Sequence, residues 1–291
     1  MDSDLLYTLG WRGLRLNKRE LKLMRSISNS LGVNKLSKYL SGTKLGQRLS
    51  SLEDWQVQGR NELDWLKENN IQFVRYCDME YPQSFRRLCF PPLGLTVYGS
   101  TKNLNADCLS VVGSRNPNLY SRQWLQESLK IFVNEVDVVI ASGGAYGIDQ
   151  LAHNICLRLK RPTICFLPSG FRRLYPCSLA KIMTEFETQG STVVSQFSPF
   201  QDLYKGQFCA RNELMAILGG ATFVVEAGLK SGTMLTAKHA ISHDREVWTL
   251  PCHPASGSGK GNLELLYSGA TLIRDFNDMK LAWSMLSCGF S

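Results

Sequence analysis

Two textures divide the chain. Through residue 70, apolar positions recur at helical spacing: Leu16, Leu21, Leu23, Met24, Ile27 and Leu31 fall on that period, and Gly32 follows as a stop. LSKYLSG reads as a second, short helix and residues 62–69 as a third, with no strand-like run between them. From Ile71 the pattern changes. IQFVRY and LTVYG are strand-like, and after Ser100 a unit repeats: apolar strand, glycine-bearing turn, helix. The strands are LSVVG, VDVVIAS, PTICFLP, STVVSQF, ATFVVEA, EVWTLP and ATLIRD. Helical stretches lie between most of them: SRQWLQESLKIFVN, DQLAHNICLRLK, SLAKIMTEFETQG, NELMAILG and SGTMLTAKHAISH. Near-continuous apolar strands alternating with helices predict a parallel sheet covered on both faces. The expected fold is therefore α/β. A small all-helical domain spans residues 1–70, and an extended Rossmann-like, doubly wound, mostly parallel sheet spans 71–291.

In such a sheet, ligands bind beyond the carboxyl ends of the strands. Five of these ends are unusual. Gly113-Ser114-Arg115 closes LSVVG, and Ser142-Gly143-Gly144-Ala145-Tyr146-Gly147 closes the next strand. Pro168-Ser169-Gly170-Phe171-Arg172-Arg173 leads on to Tyr175-Pro176. Glu226 through Thr233 contains Lys230-Ser231-Gly232-Thr233, and PCHPASGSGKGN follows EVWTL. Tight strand-to-helix turns use glycine for purely steric reasons, so one such turn says little. Five on one rim would present amide N–H groups, hydroxyls, Arg115, Arg172, Arg173 and Lys230 to a single anion, phosphate being the obvious one.

Composition and charge sharpen this. The 291 residues carry 33 Lys and Arg against 25 Asp and Glu, a net charge of +8. Residues 11–50 hold ten basic side chains against Glu20 alone. A stretch of that kind attracts polyanions and makes binding salt-sensitive, although it also serves as a solvated helix face. No apolar run approaches the roughly 18 residues that span a bilayer. The N-terminus has no signal- or transit-peptide pattern, so a cytoplasmic location and no membrane association are expected. The nine cysteines are scattered, none in a CxxC pair, and read as reduced thiols.

The common nucleotide signatures fail. A dinucleotide fingerprint would need glycine where Ser142 stands, and a phosphate loop around Gly259-Lys260 meets Pro254 upstream and Gly261 downstream. His239 and His243 are four apart on a helical stretch, but no third metal ligand accompanies them, and they read as ordinary helix residues. Glu226 at a strand end is a candidate general base. A carboxylate there equally caps a helix or accepts a turn N–H, and that is the preferred reading. Phe171-Arg172-Arg173-Leu174-Tyr175 interleaves rings with guanidiniums, a pattern suited to unpaired bases and equally to a core ring flanked by surface arginines.

Taken in order, the motifs resemble the DprA/Smf family of bacterial DNA-processing proteins of natural transformation. They are Gly113-Ser114-Arg115, Ser142-Gly143-Gly144 with Gly147-Ile148-Asp149 and Ala152-His153, Tyr175-Pro176, Phe208 with Arg211-Asn212, Glu226-Ala227 with Ser231-Gly232-Thr233 and Thr236-Ala237, Gly261-Asn262 and Gly269-Ala270. The resemblance is strong over about residues 75–290 and loose over the helical N-terminus, where it implies a SAM-like or helix-hairpin-helix-like domain. It implies a non-enzymatic recombination mediator without metal or cofactor. Such a protein binds and protects incoming single-stranded DNA in a basic pocket, dimerises with a second copy and loads the RecA recombinase. On this pattern Arg115 holds a phosphate, and the turns at 142–147 and 231–233 donate N–H groups. Phe171, Arg172 and Arg173 flank the strand, and Arg211 and Asn212 help build the pocket.

Several positions depart from the family's pattern. Cys177 stands where a basic residue often follows Tyr-Pro, leaving Arg172, Arg173 or Lys181 to substitute. Gln196, Glu213 and Cys252 replace Glu, Arg and Gly. No winged-helix-like C-terminal domain, which some members carry, is expected within the chain. The alternative reading is a phosphoribohydrolase that cleaves nucleoside monophosphates, a related Rossmann-like group with the motif PGGxGTxxE. Here the catalytic carboxylate position holds Thr236, so the chemistry has no evident agent. A nucleotide-sensing adaptor without a DNA role is a third reading, against which the basic stretch argues.

Overall fold

The computed structural model describes residues 55–288 and, before them, only positions 19, 42–44, 46 and 47. The two helices expected before residue 43 and nearly all of the basic stretch 11–50 lie outside the described residues. The third expected helix is α1 (Trp55–Glu68), which begins seven residues earlier than its pattern indicated. Its Leu66 is buried among Ile71, Phe171, Leu179 and Val193, so α1 shares the core of the sheet.

The sheet has nine strands: β1 (Ile71–Arg75), β2 (Gly94–Gly99), β3 (Cys108–Val112), β4 (Val139–Ser142), β5 (Thr163–Phe166), β6 (Thr192–Ser195), β7 (Ala221–Val224), β8 (Glu246–Thr249) and β9 (Thr271–Leu272). Their spatial order is β1-β2-β6-β5-β4-β3-β7-β8-β9. The seven strands from β6 to β9 are mutually parallel. β2 runs antiparallel to β6, with Thr96 opposite Ser195, and β1 antiparallel to β2, with Ile71 opposite Tyr98. The expected mostly parallel, Rossmann-like architecture is thus observed, with an antiparallel pair added at one edge. The chain winds outward from β3 in both directions, so the order reverses between β3 and β7. That reversal opens the crevice in which such folds bind ligands.

Helices α2 (Leu119–Glu135), α3 (Ile148–Arg158) and α8 (Phe276–Cys288) cover one face. Helices α5 (Lys205–Leu218) and α6 (Gly232–Ser242) cover the other, and α4 (Met183–Thr188) and α7 (Lys260–Tyr267) are shorter. Alternation along β3 shows the period of two: Leu109 and Val111 enter one core, Cys108 and Val112 the other. The central strands are only four or five residues long, and every residue of β3 through β7 is buried. The stretch 178–190, expected as one helix, is split into a 3₁₀ turn at Cys177–Lys181 and α4. α5 starts seven residues before NELMAILG because Tyr204 and Gln207 form a reciprocal cap. No helix among the described residues is long and apolar enough to cross a membrane.

Candidate nucleic-acid interface

Because the strands from β6 to β9 are parallel, all five unusual turns leave the sheet at the same rim. Three of them converge at the end of β3. The amide of Ile148 donates to the Ser114 carbonyl at 3.1 Å. Gly147, with φ of +83°, crosses so near that a Cβ there would lie 2.3 Å from that oxygen. From the opposite side the Thr233 hydroxyl donates to the Gly113 carbonyl at 3.1 Å. Gly113, Ser114, Gly147 and Thr233 are therefore one contact set, assembled from the turns after β3, β4 and β7.

Arg211 holds this set from below. It is almost fully buried on α5 and donates to the carbonyls of Gly143 and, at 2.8 Å, Phe166. Its Nε donates to Asn212 Oδ1 at 2.9 Å, and Asn212 Nδ2 reaches the Gly232 carbonyl at 3.4 Å. Asp149, in the first turn of α3, accepts the Gly143 amide at 3.2 Å and provides the charge opposite Arg211. A Cβ on Gly143 would lie 2.2 Å from Arg211 Nη1, so the glycine makes room for the guanidinium. Burial pushes the Asp149 carboxyl up to about 6 against the pull of Arg211 and of backbone donors, and burial likewise lowers Arg211. Behind them His153 is held neutral, its pKa lowered to about 3 by burial, with Nδ1 at 2.8 Å from the Thr163 hydroxyl.

The remaining predicted residues divide between scaffold and surface. Ser142 is buried and donates to the Val111 carbonyl at 2.7 Å. Gly144, at φ +67°, packs on Cys165 and Leu179, and its carbonyl accepts from Gln150, which also reaches Ser178 at 3.0 Å. Phe171 is buried with Leu179 and Phe186, so its ring supports the turn from inside. The exposed rings beside it are Tyr175, edge-on to Phe208, and Phe200, over which the Arg172 guanidinium sits at 4.9 Å. Arg173 is ion-paired with Asp202. Ser231 caps α6, accepting from the Met234 amide at 3.4 Å, and Gly232 is exposed. Arg115, Lys181 and Lys230 are exposed, and none has an acidic partner among the described residues.

Asp149 entered only as part of the Gly147-Ile148-Asp149 motif, with no role assigned, and Gln150 was not singled out; both stand in the first turn of the helix that follows Gly147. Glu226 is buried, and its Oε2 accepts the Asn118 amide at 3.0 Å, as the turn-acceptor reading expected. Thr236 hydrogen-bonds the Gly232 carbonyl and brings no carboxylate. His239 and His243 contact Cys209 at 3.3 Å and Glu213 at 2.9 Å, and the described residues contain no group of three or more ligating side chains placed for a metal ion.

The rim sets the exposed Arg115, Lys181 and Lys230 beside the turns after β3, β5 and β7, while the Gly113, Gly143 and Ala145 amides are given to Asp149. Residues 72–283 match the family model of DNA recombination-mediator protein A. The chain belongs to that family. It is 30% identical over 231 residues to Protein Smf of Synechocystis sp., covering 77% of this chain and 58% of that protein. It is 30% identical over 215 residues to Protein Smf of Escherichia coli, covering 74% and 57%. The chain thus spans less than three fifths of the length of these curated relatives. The crystal structure of DNA processing protein A from Streptococcus pneumoniae superposes with a TM-score of 0.78 at 24% identity, covering 97% of this chain and 98% of that one. DNA processing protein A from Helicobacter pylori, studied for its single-stranded-DNA binding mode, gives 0.65 at 29% identity, covering 75% and 96%.

Proposed function

We propose that this chain binds single-stranded DNA along the rim formed by the turns after β3, β4, β5 and β7. In this reading Arg115, Arg172, Arg173 and Lys181 meet phosphates, the turns at 142–147 and 231–233 supply N–H donors, and Arg211 and Asn212 hold those turns in place. As a mediator the protein acts in the cytoplasm as a homodimer, protects incoming strands and loads the RecA recombinase on them in natural transformation. It performs no catalysis.

One observation carries the reading: Gly113-Ser114-Arg115, Gly147 and Thr233 meet at a single strand end, leaving an unpaired arginine above a cluster of backbone groups. The family's Helicobacter pylori member, described as binding single-stranded DNA, supports it. The test is a titration of oligothymidine and of a duplex of equal length at several salt concentrations, with particle size measured free and bound. Oligothymidine should bind more tightly, and its affinity should fall steeply with salt. Equal affinity for both polymers overturns the reading. The mediator role is tested by RecA filament growth on strands covered by a single-strand-binding protein, which this protein should accelerate and a DNA-binding-defective variant should not.

A further inference from the structure

The described cysteines are all free thiols, and their surroundings set them apart. Cys108, Cys156 and Cys165 are buried, and burial raises all three, Cys156 and Cys165 to about 12, which leaves them inert. Cys89, Cys177 and Cys209 are exposed. Of the described cysteines only Cys209 has an imidazole within hydrogen-bonding reach: its Sγ lies 3.3 Å from His239 Nε2. The contact joins two packed helices, with Cys209 on α5 and His239 on α6. One turn further along the same helices Glu213 and His243 pair at 2.9 Å. Two contacts one turn apart fix the rotation of both helices, and with it the approach of the ring to the thiol. Partial burial lowers the pKa of His239, with a push from His243 and against the pull of Glu213. The ring is therefore neutral at neutral pH and able to take a proton.

We propose that Cys209 and His239 form a thiol–disulfide exchange site, at which the protein takes up half of a low-molecular-weight disulfide as a reversible mixed disulfide. An exposed nucleophile with a base in contact is the arrangement that such exchange needs. His239 Nε2 takes the Sγ proton, and the thiolate attacks one sulfur of the incoming disulfide. The S–S bond of the disulfide breaks and a new S–S bond to Cys209 Sγ forms. The released thiolate recovers the proton from the imidazolium. Cys209 is oxidised and the departing half is reduced, so no further oxidant enters, and an excess of free thiol runs the exchange backward. The dyad lies outside the strand-binding rim and stands independently of that reading.

Timed incubation of the full chain with oxidised glutathione, quenched with acid and read by peptide mass spectrometry, gives a rate for each cysteine. Cys209 should gain the adduct about tenfold faster than Cys89 or Cys177, because a thiol without a base is only a few per cent thiolate at neutral pH. His239→Gln should bring Cys209 down to the rate of those two. In denaturant the contact is lost, and the three wild-type rates should converge. Dithiothreitol should remove the adduct and restore the original mass. Equal native rates at the three exposed cysteines, an unchanged Cys209 rate in His239→Gln, a Cys209 advantage that survives denaturant or an adduct that resists dithiothreitol overturns the proposal. The comparison of native with denatured wild type needs no variant, so it decides the matter even where His239→Gln misfolds. No DNA is present, so failure of the rim to hold a strand leaves the result intact.

Discussion

A Cβ on Gly147 would stand 2.3 Å from the carbonyl oxygen of Ser114, and Gly147 has a φ of +83°. The Arg115 carbonyl oxygen would lie at 2.6 Å, and since both neighbours are backbone, neither gives way by rotating a side chain. Gly147→Ala therefore meets a left-handed strain and a collision that pushes the turn after β4 away from the end of β3. A loss of about 2–4 kcal/mol is expected. Gly190 has a similar φ of +65° but open space around it, so Gly190→Ala should cost only about 1 kcal/mol. Thermal melts of the two variants compare the terms, and a Gly147→Ala protein as stable as Gly190→Ala would contradict the close approach.

Arg211 and Asp149 are buried opposite charges joined through the backbone of Gly143, whose carbonyl accepts from Arg211 and whose amide donates to Asp149. Arg211→Met strands the carboxylate and leaves the Gly143 and Phe166 carbonyls without their donor. Breaking such a pair by removing one partner costs about 3–5 kcal/mol, whereas neutralising both ends is far milder. Arg211→Met should thus be the worst single change at the rim, and adding Asp149→Asn should restore part of the loss. Chemical denaturation of the four proteins in the cycle measures the coupling, and strict additivity would show that the pair is not one unit.

Asp149 also sets a pH dependence. Its carboxyl is raised to about 6 in the fold, chiefly by burial, while an unfolded aspartate titrates near about 4. Between those values the native state holds a proton that the unfolded chain has released. Stability from this group is therefore greatest below about pH 4, declines as pH rises to about 6 and is level above. Wild type measured relative to Asp149→Asn isolates it from other carboxylates. The difference should shift against the wild type across that window, and a shift in its favour would mean that pairing with Arg211 outweighs burial.

The sheet was legible because its strands are short and buried on both sides, which leaves uninterrupted apolar runs such as LSVV and ATFVV. The rim followed from parallel strands alone. What the one-dimensional pattern could not carry was depth. The pattern left Phe171 open between a base-stacking ring and a core ring and gave Arg211 only as a pocket-building residue; both face inward, the ring into a hydrophobic cluster and the guanidinium onto two carbonyls. The antiparallel edge made by β1 and β2 was likewise hidden, because direction depends on a crossover and not on the residues within a strand. Helix α8 was not among the expected helices, although Asp275 caps its start by accepting the Asn277 and Asp278 amides, and its Met279 and Ala282 are buried in the core shared with α2.

Charge at the rim gives a prediction that separates surface from scaffold. Arg115 is exposed without an acidic partner among the described residues, whereas Arg173 is held by Asp202. Arg115→Ala should remove one phosphate contact and lower the slope of log affinity against log salt by about 0.7, the single-strand value per contact. Asp202→Asn should do the opposite. It removes the carboxylate that competes with phosphate for Arg173, tightening oligothymidine binding severalfold and steepening the slope by a similar amount. The Arg173–Asp202 pair is solvent-exposed and contributes about 0–1 kcal/mol at most, so the melting temperature should barely move. Weaker binding after Asp202→Asn would mean that the carboxylate orients Arg173 toward the strand instead of competing with it, and the third turn would then act through geometry more than through charge.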